Sequence, residues 1–82
     1  MLKLINIIKT NKKIEADYIP ENSDKEAHVY IDLLNGNSHA DIIEEYGSMY
    51  SRMAINGLKR TLEELENGII NEPPENRMVM WY

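Results

Sequence analysis

From Ser48 to Gly68 the chain carries one long amphipathic stripe: Tyr50, Met53, Ala54, Gly57, Leu58, Leu62 and Leu65 recur at helical spacing. Ser51, Arg52, Asn56, Lys59, Arg60, Glu63 and Glu64 form the opposite, wet side. Ser48 is placed to act as an N-cap, and Asn67-Gly68 is a typical helix stop. Alone, such a helix would leave its stripe in water, so it must lie across something apolar. The remaining segments read as strands, which predicts an α+β domain of one helix on an antiparallel sheet of about four to five strands. Gly57 sits in the middle of the stripe, where it costs about 1 kcal/mol relative to alanine. A backbone that must approach the sheet closely would explain it.

Two hairpins account for most of the sheet. The segment "LKLINIIKTNKKIEADYI" predicts strands around a turn at Asn11-Lys12, with Ile14, Ala16 and Tyr18 alternating against Glu15 and Asp17. That register sets Ile7 opposite Ala16 and Ile5 opposite Tyr18. A loop follows, rich in Pro20, Asn22, Ser23 and Asp24. Then Ala27, Val29, Ile31 and Leu33 alternate with His28, Tyr30 and Asp32, and Asn35-Gly36 signals a type I′ hairpin. Residues 38–46 fit either a short helix capped by Ser38 or the return strand. The strand is favoured because a two-residue loop matches both faces: Ile31 with Ala40 and Val29 with Ile42, Asp32 with His39, Tyr30 with Asp41 and His28 with Ile43. After the extended "NEPPENR" connector, the closing "RMVMWY" alternates Met78, Met80 and Tyr82 against Val79 and Trp81. So apolar a terminus reads as a last strand docked on the sheet.

Eighty-two residues are expected to make a single domain, residues 1–82, with room for one modest core. The absence of cysteine excludes disulfides, thiolate metal sites and cysteine nucleophiles, and favours a reducing, cytoplasmic home. The opening "MLKLINII" has neither the uninterrupted apolar run nor the cleavage site of a signal peptide, and no stretch is apolar enough to span a bilayer. Fourteen acidic against nine basic residues give a formal charge of −5, which opposes nucleic acid and anionic lipid as partners. Lys9, Lys12 and Lys13 cluster at the first turn, where a solvated hairpin tip is their simplest reading. With Arg52, Lys59 and Arg60 they would carry any nucleic-acid contact.

Candidate chemistry is sparse. In the registers above, His28, Asp32, His39 and Asp41 share the outer sheet face, a cluster able in principle to bind a divalent metal or serve acid-base chemistry. Its spacing matches no metal motif, and cross-strand polar pairing explains it more simply. Ser48, Ser51 and Thr61 belong to no nucleophile elbow, Gly36 and Gly57 to no phosphate loop, and Glu44-Glu45 and Glu63-Glu64 are sequence neighbours whose side chains diverge. No catalytic residues, cofactor site or metal site are assigned.

The outer face is the more informative surface. Leu2, Leu4, Ile8, Ile19, Tyr30 and Ile43 would project there, on the side the single helix leaves bare. Apolar residues in that position point to a partner, either a second copy of the chain or another protein. Leu4, Ile19, Tyr30, Ile43 and Trp81 are the candidate contact residues.

Tyr50, Ala54 and Leu58 in the helix, Pro73 and Pro74 in the connector, and Val79 to Tyr82 at the end carry a resemblance. The C-terminal third resembles a group of short bacterial proteins of no assigned activity that end in Val-Met-Trp-Tyr. The resemblance implies a few strands, a helix and a proline-containing linker, and neither activity nor cofactor. Met53 stands where that group often has a histidine. The leading functional expectation is therefore a non-catalytic interaction or homodimerising module; a small enzyme or metal-binding protein, and then a nucleic-acid-associated protein, are the alternatives.

Overall fold

The computed structural model of the chain describes residues 1–79. In chain order the elements are β1 (Leu2–Lys9), β2 (Lys13–Pro20), β3 (Ala27–Asp32), β4 (Ser38–Ala40), α1 (Gly47–Glu66) and β5 (Asn76–Val79). They form the expected α+β architecture: an antiparallel five-stranded sheet in the order β4-β3-β2-β1-β5, with α1 packed on one face. The helix touches all five strands as it carries the chain from the β4 edge to the β5 edge. Leu4, Ile14, Tyr18 and Val29 from the sheet meet Ala54 and Leu58 from α1 in a core without solvent access.

The first hairpin keeps its predicted register only beside the turn, where Lys9 faces Ile14 and Ile8 faces Glu15. Farther out the register shifts, and Ile5 faces Asp17 and Leu4 faces Tyr18. The cause is a β-bulge at Asn6, whose φ of 55° is left-handed, a conformation asparagine tolerates better than most residues. One extra residue flips the side chains on its far side. Leu2 and Leu4, expected on the outer face, are fully buried against the helix, as is most of Ile7 beyond the bulge.

The second hairpin also departs from expectation. Its register is Val29 to Ala40, Tyr30 to His39 and Ile31 to Ser38, two residues away from that of a two-residue loop. A shift of two preserves the faces but changes the neighbours. Gly36 has the expected positive φ, 79°, but Asn35 does not, so the turn is not type I′. Instead residues 33–36 form a longer tip held by a Gly36 N–H to Asp32 carbonyl bond of 2.9 Å. The Asp32 carboxylate closes it by accepting from the backbone of Leu34 at 2.8 Å and Asn35 at 3.3 Å. Beyond Ala40 the chain leaves the sheet: Ile42 is exposed, while Ile43 turns into the core. The return strand is thus confined to three residues, and no helix forms before Gly47.

The helix ends as read, with Gly68 at φ 72° after the C-cap Asn67. Its start differs. Tyr46 occupies the N-cap without a side-chain bond, and Ser48 lies inside the first turn. Ser51, assigned to the wet side, is buried, and its hydroxyl is satisfied there by donating to the Ser48 carbonyl at 2.8 Å. Thr61 is buried in the same manner, donating to the Gly57 carbonyl at 3.0 Å. The final strand pairs Leu2 with Val79 and Leu4 with Arg77. Met80, Trp81 and Tyr82, the rest of the predicted strand, lie outside the described residues.

Candidate functional site

The uncovered face of the sheet is where exposed chemistry concentrates, and alternation decides what it displays. On the β5–β1 side it presents Met78, Ile5 and Ile8, with Ile19 from β2; Met78 is 51% and Ile8 55% exposed. Lys3 stands between Met78 and Ile19 in one cross-strand row. Another row runs Ile8, Glu15, Tyr30, His39. Of the residues expected to form a contact surface, Ile19 and Tyr30 are here and half-buried. Leu4 and Ile43 are not: both belong to the core, Leu4 because of the bulge and Ile43 because the chain has already left the sheet. Trp81 lies outside the described residues.

The β2–β3–β4 side of the same face is polar and internally paired. The ring nitrogens of His28 lie 3.0 Å from Glu15 Oε1 and 3.1 Å from Asp17 Oδ1, so one imidazole bridges two carboxylates of the neighbouring strand. Asn6 donates to the other oxygen of Asp17 at 3.1 Å, and Lys13 approaches Glu15 at 3.4 Å. The bulge thus contributes to the outer face as well as to the core. Tyr30 is flanked by both imidazoles, with ring centroids 6.4 Å from His28 and 5.9 Å from His39.

The expected cluster of His28, Asp32, His39 and Asp41 therefore does not converge. His28 is held by Glu15 and Asp17, two residues the sequence reading did not associate with it. Asp32 is committed to the turn. His39 pairs with Asp41 through a 2.9 Å Nε2–Oδ1 contact. Asp41 is anchored by its backbone: its N–H donates to the His28 carbonyl at 2.9 Å, and its carbonyl accepts the Tyr18 hydroxyl at 2.5 Å. Burial pushes the Tyr18 phenol above its ordinary value. Among the described residues no group of three or more histidines and carboxylates is arranged to hold a metal ion.

Two other polar groupings tie the fold together. Tyr50 on α1 donates to Glu21 Oε1 at 2.6 Å, and the Met1 ammonium reaches the same oxygen at 3.3 Å. The shared hydrogen bond lowers the Glu21 carboxyl below its usual range and pushes the Tyr50 phenol up to about 12. At the β5 edge Arg77 points to the helix, where it donates to both oxygens of Glu64 and to Thr61 Oγ1 at 3.1 Å. The basic residues weighed for nucleic acid divide between the first turn (Lys9, Lys12, Lys13) and the solvent side of α1 (Arg52, Lys59, Arg60), all exposed. Among the described residues no helix is long and apolar enough to cross a membrane.

Comparison with protein-family models, with curated proteins and with solved structures returns no match.

Proposed function

We propose that the chain is a non-catalytic interaction module whose uncovered sheet face docks a second copy of itself. The observation that carries the reading is the one-sided sheet. The helix occupies one face, while the other displays Ile5, Ile8, Ile19, Tyr30 and Met78 around Lys3, beside the contacts of His28 with Glu15 and Asp17. Polar groups that contact one another keep those contacts when the face is covered, but losing their water still costs free energy. The apolar residues and Tyr30 must therefore carry the association. Tyr30 and the row of rings beside it supply the rigid aromatic surface that interfaces favour.

Area sets the strength of the association. Five strands about 4.8 Å apart, averaging about 20 Å in length, make a face on the order of 500 Å². Two such faces bury about 1,000 Å² in total, the low end for specific interfaces, so the dimer should be weak and dependent on concentration. Lack of cysteine and the acidic balance fit a cytoplasmic protein with protein rather than nucleic-acid partners. The test is absolute mass by light scattering across a concentration series, for the natural chain and for Ile8→Glu. A dimer fraction that grows with concentration and is lost in the variant supports the reading. Equal association of the two proteins places the interface elsewhere.

A further inference from the structure

The sequence holds three Asn-Gly pairs, Asn35-Gly36, Asn56-Gly57 and Asn67-Gly68, and the fold treats them differently. We infer that Asn35 is a site of spontaneous self-modification, through succinimide formation with Gly36. Glycine following asparagine leaves the attacking backbone nitrogen unhindered. At Asn35 the fold adds an electrophilic aid: the Asn37 N–H donates to Asn35 Oδ1 at 2.9 Å. That donor draws charge from the side-chain amide carbon and sits where negative charge develops when the carbon is attacked. Neither Asn56 nor Asn67 has a side-chain hydrogen bond among the described residues.

The step balances without any outside reagent but water. The Gly36 nitrogen forms a bond to Asn35 Cγ, its proton passes to the departing amide nitrogen, and ammonia leaves. Water then opens either carbonyl of the ring, giving aspartate or isoaspartate. The Gly36 N–H must first release the Asp32 carbonyl. That opening is confined to an exposed tip beside a three-residue edge strand, the kind of local fluctuation that costs far less than global unfolding.

The other two pairs are locked. Gly57 is buried at mid-helix, and cyclisation at Asn56 would break α1 around it. At Asn67 the Gly68 N–H is held only by a 3.3 Å bond to the Leu65 carbonyl. The Asn67-to-Glu63 and Ile69-to-Glu64 bonds, each 2.9 Å, nevertheless fix the backbone on both sides and close the helix end, and among the described residues no donor reaches the Asn67 side chain. Isoaspartate at position 35 would lengthen the backbone of the tip and set a new negative charge beside Asp32, weakening the turn that Asp32 closes.

The experiment is incubation of the full chain at mildly alkaline pH, folded and in concentrated urea, followed by peptide mapping with enzymatic isoaspartyl labelling. In the folded protein Asn35 should be modified first, with Asn67 far behind and Asn56 unreacted. In urea the three should react at similar rates. Asn35→Gln should abolish the early label. The inference is overturned if folding protects Asn35 as strongly as Asn56, or if Asn67 reacts first.

Discussion

Gly57 on α1 and Val79 on β5 approach so closely that a Cβ added to Gly57 would lie 2.5 Å from Val79 Cγ2 and 3.3 Å from Leu4 Cδ1. The glycine's helix-propensity cost is therefore the condition for seating the helix over β1 and β5. Gly57→Ala gains about 1 kcal/mol in propensity but forces Val79 outward at a cost of about 1–3 kcal/mol. Urea unfolding should show a net loss of about 1 kcal/mol. Adding Val79→Ala should relieve part of it, so the two changes couple favourably in a double-mutant cycle.

The bulge at Asn6 decides which of the N-terminal apolar residues hold the fold. Leu4→Ala should destabilise by about 2–5 kcal/mol, as a fully buried leucine does. Ile8→Ala, on the open face, should change stability by no more than about 0.5 kcal/mol. Asn6→Gly should be tolerated, whereas Asn6→Val should cost about 1–2 kcal/mol because a β-branched residue resists the left-handed conformation. Denaturation midpoints of the four variants check this.

Arg77 ties the edge strand to the helix, and its link with Glu64 is sensitive to acid. The Arg77 hydrogen bond holds the Glu64 carboxyl below its ordinary value of 4.5, against the smaller opposing effect of burial. A carboxyl depressed in the folded state contributes stability that is complete above 4.5 and is lost as pH falls through the depressed value. Arg77→Met should therefore cost about 1 kcal/mol near neutrality, after solvent screening. It should also flatten the acid limb of the stability curve, as Glu64→Gln should.

At the alkaline end Tyr50 is the marker. Its phenol, raised by its bond to Glu21, contributes stability fully present below 10.0 and lost as pH climbs toward about 12. Ultraviolet titration should show late ionisation from both Tyr18 and Tyr50. Tyr50→Phe should remove one late-ionising phenol, and Glu21→Gln should move that same phenol to lower pH.

How far the sequence revealed all this depends on what each residue reports. The helical stripe and Gly57 were legible because helix periodicity and close approach leave local marks. Strand registers were not, since Asn6 reads as one polar interruption in "LINII" until its left-handed φ is known, and it reverses the faces of Leu2 and Leu4. Asn35-Gly36 located the second turn, but the competing side chain of Asp32 chose a longer tip and so moved His39 from Asp32 to Tyr30. The His28 bridge to Glu15 and Asp17 depends on the pairing of β2 with β3 across a loop whose composition carries no register. Arg77, written into an apolar tail, gives no sign in sequence that it turns inward to Glu64.

The most direct test of the docking face is the light-scattering mass of the natural chain against Tyr30→Glu, with folding of the variant checked by its unfolding midpoint. Docking through this face predicts a monomer–dimer equilibrium in the natural chain that the substitution shifts to monomer while the fold stays intact. A natural chain that stays monomeric at every concentration, or a folded Tyr30→Glu variant that dimerises as before, would contradict it.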